Sequence, residues 1–285
     1  MMKTPVLLLA APLAAILVLG LAPLILVIVW SFCAWDSATY WIKPEFSLAA
    51  YGAILEAGRW SVFLSTLGKA LLTSAICLVI AYPTAYAMYF LAGRTLSVVL
   101  AALLTIPFFT SYLIRSFSWR LLLGRTGVIN TLLQQAGITD APIDWLLFSD
   151  FAVIVGLVAS YLPFATFPIL LSMRRVDPIA LAASRDLGAG FWTMVRTVLL
   201  PLTYSGVFAG FLFVFVMVAG SSTEVQMLGG AGASIVSVMI NDVMRVANFP
   251  LAFAISTLML VIVFGLVLIG DALFGLSSLF EERGQ

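Results

Sequence analysis

Residues 177–201 read DPIALAASRDLGAGFWTMVRTVLLP. Asp177 has the short acceptor side chain that suits a helix N-cap, and Pro178 is preset for the first helical position. Ile179 to Leu187 then predict a short helix whose side chains are mostly small: Ala180, Ala182, Ala183 and Ser184. Gly188 follows where the chain must turn, because it takes a positive φ at no steric cost. So smooth a helix lets another surface come close to its backbone. The stretch is therefore predicted to be a docking helix on the water side of a membrane, with apolar runs before and after it.

Composition sets that context. The chain has 285 residues, 63% of them hydrophobic and only 9% charged, with a mean hydropathy of +1.15. Soluble domains average about 25% charged residues, so the chain reads as an all-α, polytopic membrane protein whose backbone groups must be satisfied internally. A net charge of +1 gives no electrostatic reason to bind nucleic acid. There is no histidine, which removes imidazole catalysis and His-ligated metals, and no metal site is expected. Cys33 and Cys77 both fall in apolar runs and read as packing residues rather than a disulfide. No G-x-x-x-x-G-K-[ST] phosphate loop occurs, so ATP hydrolysis by this chain is not expected. With no clustered carboxylates either, no catalytic set presents itself.

Six apolar segments are predicted to span, at about residues 5–32, 62–91, 96–114, 151–172, 203–220 and 251–275. The first is too long for a signal-peptide h-region of about 7–15 residues and reads as a retained anchor. Between it and the second span, Trp35, Tyr40, Trp41 and Trp60 are aromatics suited to an interface. Lys69, inside the second span, reads as a lysine snorkelling to the membrane surface. Pro83 is expected to kink that span. Residues 115–150 are too polar to cross, with a turn at Gly124–Gly127 and a short surface helix in VINTLLQQAG. Pro201 is expected to end one helix before the fifth span begins. Asp186 is expected to accept backbone N–H groups near Gly190–Trp192.

Six spans put both termini on one side. Lys and Arg divide almost evenly between the two faces, so the positive-inside rule orients the chain weakly, through the Arg174/Arg175 pair beside the docking stretch. That places the stretch and both termini in the cytoplasm. A cationic solute would need acidic or aromatic groups lining a wet cavity. Glu224, Asp242, Tyr112, Trp119 and Tyr161 are the candidates, each weighed against a packing or loop role.

The docking stretch resembles the EAA loop of permease subunits in ABC importers. Ala182-Ala183-Ser184 occupy the three leading positions, Arg185-Asp186-Leu187-Gly188 the continuation, and Val198, Leu200 and Pro201 the trailing aliphatic and Leu-Pro positions. The segments SLAAYGAIL (47–55), TLGKALLTSAICLVIAYPTAYAM (66–88), IPFFTSYLIRSFSWRLLLGRTGVINTLL (106–133) and MLGG (227–230) are similar to spermidine/putrescine-type permeases, so the likeness covers nearly the whole chain. One departure is that the family's leading Glu is Ala182 here. The resemblance implies a type I importer permease fold in a bacterial inner membrane. It also implies a second permease subunit forming a heterodimer, two ATPase subunits that bind ATP and Mg, and a periplasmic solute-binding protein. This chain itself is expected to carry no cofactor. Ala182 to Gly188 and Pro201 would couple it to an ATPase. The implied organisation is an N-terminal helix and loop at 1–61, a permease core at 62–275 containing the loop at 177–201, and a tail at 276–285. The competing reading is a self-sufficient secondary transporter. It is disfavoured because no internal repeat relates residues 1–140 to 141–285.

Overall fold

The structure is a computed structural model and describes residues 12, 14–56, 58–230 and 233–274. The start of the first expected span and the expected tail at 276–285 lie outside the described residues. A π-helical turn, Leu17–Leu21, leads into α1 (Ala22–Trp30), followed by the strands β1 (Cys33–Asp36) and β2 (Trp41–Phe46). The helices α2 (Ala49–Leu55), α3 (Arg59–Tyr86), α4 (Arg94–Phe109), α5 (Tyr112–Leu123) and α6 (Val128–Gln135) come next. Then follow α7 (Asp150–Met173), α8 (Pro178–Asp186), α9 (Phe191–Met194), α10 (Leu200–Gly220), α11 (Thr223–Gly229), α12 (Val236–Arg245) and α13 (Phe249–Phe274).

Among the described residues, four helices are long and apolar enough to cross a membrane: Arg59–Leu91, Asp150–Met173, Phe191–Gly220 and Phe249–Ala272. A fifth arises if α4 and the helices after it, bent by 104°, are one span, and the helix Ala14–Trp30 is shorter. The expected third span is thus cut short. α4 stops at Phe109, Thr110 is extended and Ser111 is also outside the helical region. Pro107 cannot donate to the turn before it, and Thr and Ser offer the backbone side-chain partners that compete with helix.

One proline acts differently from expectation. Pro201 does not end a helix. It sits in the first turn of α10, directly after a π-helical stretch, Val195–Leu199, that joins α9 to α10 in one continuous rod. The wider π turn accommodates a residue that has no N–H to give. Pro83 lies inside α3, which runs on through a π-helical end, Ala87–Leu91.

The chain divides into two compact units, Met1–Val62 with Val238–Gly265 and Phe63–Ser237 with Leu266–Gln285. In the first, β1 and β2 pair antiparallel with Trp35 opposite Ile42 and a bulge at Cys33/Ala34. Asp36 organises the turn by accepting the Ala38 N–H at 3.0 Å and the Thr39 hydroxyl at 3.1 Å, with Lys43 Nζ at 3.6 Å. Those bonds, the Ala38 N–H foremost, hold its carboxyl below the ordinary carboxylate value. Trp35 Nε1 donates to the Ala247 carbonyl at 3.2 Å and fastens the hairpin to residues after α12.

In the second unit α7 is the central rod. Val153, Leu157, Ala165 and Ile169 are fully buried along it. α10 crosses it through glycines. A Cβ on Gly206 would overlap the Ser172 hydroxyl and lie 2.6 Å from the Pro168 carbonyl, and one on Gly210 would lie 3.0 Å from the Ala165 carbonyl. Small residues at such a crossing give membrane helices the dispersion contact that water cannot drive. Lys69 reaches the first residue of α7. Its ammonium contacts Asp150 Oδ1 at 3.0 Å and donates to Ser65 Oγ at 2.8 Å, with the lysine side chain 11% exposed. The turn at Gly124–Gly127 and the short helix after it form as expected, pinned by buried Asn130, which donates to the Gly124 carbonyl and accepts the Ile143 N–H.

Candidate functional site: a cavity at two helix breaks

The break between α4 and α5 leaves carbonyls of the last α4 turn without helical partners. One of them, Pro107 O, accepts from Arg115 Nη1 at 3.0 Å. Arg115 lies one turn into α5, so its side chain reaches back across the bend, and the negative end of α4 favours a cation there. A second break separates α10 from α11, where Ser221 is extended. Its hydroxyl donates to Glu224 Oε2 at 2.6 Å. Glu224 Oε1 faces Arg115 Nη2 at 3.4 Å. The two breaks therefore meet through a carboxylate–guanidinium pair.

Glu224 is 4% exposed. At 3.4 Å and an effective dielectric of about 20, the attraction is about 5 kcal/mol before any cost is counted. Taking both charges out of water consumes most of that. The pair is thus close to balanced, and the Ser221 and Pro107 bonds supply the rest of its support.

Around this pair is a cavity of about 580 Å³. Tyr112 from α5 and Tyr161 and Phe164 from α7 line it, along with Phe108, Ser160 and the hydroxyls at both breaks. Phe108 and Phe164 lie tilted by 48° with centroids 4.9 Å apart, and Tyr161 meets Phe164 edge-on at 6.1 Å. Irregular backbone inside a membrane is tolerated where it lines such a cavity. One carboxylate, aromatic faces and a row of hydroxyls can receive a small amine.

Three of the five expected solute-path residues, Tyr112, Tyr161 and Glu224, share this cavity. Trp119 does not. It lines a separate pocket with Ile76, Phe151 and Ile154, formed only by apolar side chains. Asp242 belongs to the other unit, exposed on α12 and 3.9 Å from Arg245 on the next turn. Arg115 was not among the expected residues. Its cue was a charge four residues after the helix-breaking PFFTS, which by itself reads as the start of a polar loop.

The docking stretch folds as a capped peg. Asp177 accepts the Ile179 N–H at 2.9 Å, and Pro178 opens α8. At the far end Gly188, at φ +80°, donates to the Arg185 carbonyl and Ala189 to the Ser184 carbonyl, a complete Schellman closure. Leu181 and Ser184 face inward, and the Ser184 hydroxyl donates to the Leu181 carbonyl. Ala182, Ala183, Arg185 and Asp186 are exposed, and Leu187 is 88% exposed. Asp186 differs from expectation. Among the described residues no hydrogen bond joins it to Gly190–Trp192, because the helix ends on the Schellman bonds and the next helix begins without a side-chain cap.

No family model matches the chain. The fold is that of the permease subunits of ABC importers: a bacterial alginate ABC transporter, solved with an alginate-bound periplasmic protein, superposes with a TM-score of 0.76 over 94% of this chain and 93% of that one at 15% identity. The chain belongs to the family of PotB, the spermidine/putrescine transport system permease protein. It is 33% identical to PotB of Escherichia coli K12 over 248 residues, 87% of this chain and 89% of that one. It is also 27% identical to the inner membrane ABC transporter permease protein YdcU of the same organism, over 84% of this chain and 80% of that one.

Proposed function

We propose that this chain is one of two different permease subunits of an ATP-driven importer of polyamines, such as putrescine or spermidine, in a bacterial inner membrane. A periplasmic binding protein delivers the solute, and two ATPase subunits, which hold ATP and Mg, dock on α8 and drive the cycle. Both termini and α8 lie on the cytoplasmic side. The observation that carries the reading is Glu224, a carboxylate buried among aromatic side chains in a cavity where two helices break. Such an intramembrane charge is expensive and marks a solute path. The names of the relatives support the solute class, and the exposed, capped α8 supports an external motor.

The test is uptake of labelled putrescine and spermidine into cells expressing this chain with its neighbouring transporter subunits, or this chain alone. Uptake should require the full set and should stop when the ATPase is inactivated. Uptake by the chain alone would instead favour a secondary transporter. Uptake of a different solute class, with polyamines ignored, would overturn the assignment.

A further inference from the structure

We propose that Arg115 is a positioning residue that competes with the solute for Glu224, so that the cation can leave. The proposal rests on the polyamine reading above and adds what the second charge in the cavity is for. An isolated carboxylate in a membrane cavity would hold a polyvalent cation tightly, yet transport needs a site weak enough to release. Three features of Arg115 suit it to prevent that. Its contact with Glu224 is long, 3.4 Å against about 2.7–2.9 Å for a firm charge-assisted hydrogen bond. It keeps a second anchor, the Pro107 carbonyl at 3.0 Å, so it stays in place when Glu224 is taken. Its side chain is 17% exposed and lines the cavity, so water can reach it when the contact opens.

Glu224 is held from its other side by Ser221, which leaves Oε1 as the oxygen in contention. An arriving ammonium displaces Arg115 from Oε1, and the return of Arg115, tethered to Pro107, expels it. The planar fork of arginine can hold a carbonyl and face a carboxylate at once. Lysine, a point charge, holds both less well.

The test uses the complete transporter in nanodiscs, with two readouts: equilibrium binding of labelled spermidine without the binding protein, and turnover with saturating loaded binding protein. Arg115→Gln should bind spermidine about tenfold more tightly and turn over about tenfold more slowly, the cost of losing one opposing charge. Arg115→Lys should move both readouts the same way by a smaller factor, and it carries the test should the glutamine variant not assemble. In a Glu224→Gln background, Arg115→Gln should raise affinity by a clearly smaller factor, because only the direct repulsion of the cation remains once the contested carboxylate is gone. Binding and turnover falling together in the Arg115 variants would mean a structural role and would overturn the proposal. Wild-type transporter that neither binds nor carries polyamines would overturn the polyamine reading itself, an outcome separate from wild-type transport without the opposed shifts.

Discussion

At Gly206 α10 packs directly against the backbone of α7, and a single methyl group there tests the helix pair that frames the cavity. In Gly206→Ala the new Cβ would lie 2.6 Å from the Pro168 carbonyl oxygen, a backbone atom that no rotamer change can move. Reaching the 3.4 Å at which ordinary contact begins requires the helices to part by about 0.8 Å. A gap of that order forfeits about a quarter to a half of each dispersion contact along the seam. Overpacking costs about 1–3 kcal/mol, and a rigid obstacle puts this variant near the upper end. Gly210→Ala, with its nearest backbone atoms at 3.0 and 3.1 Å, needs only about 0.4 Å and should cost about 1 kcal/mol. Gly68→Ala meets nothing within 4 Å and should gain up to about 1 kcal/mol of helix propensity. Thermal unfolding of the purified chain in detergent should then rank Gly68→Ala above wild type, Gly210→Ala below it and Gly206→Ala lowest, by roughly 5–10 °C. A Gly206→Ala protein that melts with wild type would refute this close approach and the packing built on it.

Gly188→Asp forces a non-glycine residue to φ +80°, costing about 1–2 kcal/mol in the Schellman turn, while Ala183→Arg blocks the exposed face of α8. Both should reach the membrane at normal levels on immunoblots but lose uptake and co-purifying ATPase. The Lys69–Asp150 pair is lopsided, its side chains being 11% and 66% exposed, so Asp150→Asn leaves a buried ammonium and Lys69→Met leaves only a solvated carboxylate. Thermal melts should show the larger loss, about 1–3 kcal/mol, for Asp150→Asn. Asp36 has a depressed folded-state pKa, so its support for the hairpin turn is complete above the unfolded value of 3.8 and is lost as pH falls through the lower folded value. Fluorescence of Trp35 and Trp41, compared in wild type and Asp36→Asn, should therefore agree only at strongly acid pH.

What was legible in the sequence was whatever local chemistry determines. Asp177, Pro178 and Gly188 mark the two ends of α8, and each performs the backbone task its side chain suggests. Apolar run length located the long helices. What local pattern could not show was pairing at a distance. Arg115 and Glu224 are 109 positions apart, and Lys69 and Asp150 each look like an ordinary interfacial charge until the helices that carry them meet. Pro201 misled because proline usually stops a helix, whereas here five preceding residues widen into a π turn, a response no propensity encodes. Trp119 misled because an aromatic ring serves apolar packing as readily as a solute path.

The central claim is that motion made elsewhere enters this bundle through α8, and disulfide trapping tests it most directly. Cys33 and Cys77 can be replaced, and Ala183→Cys then puts a single thiol on the exposed face of the peg. In membranes carrying the whole transporter, that thiol should cross-link to a cysteine in the ATPase cleft, be shielded from external reagents, and change its cross-linking yield when ATP is added. A thiol that instead reacts from the periplasmic side, or never joins the ATPase in an active transporter, would contradict the account.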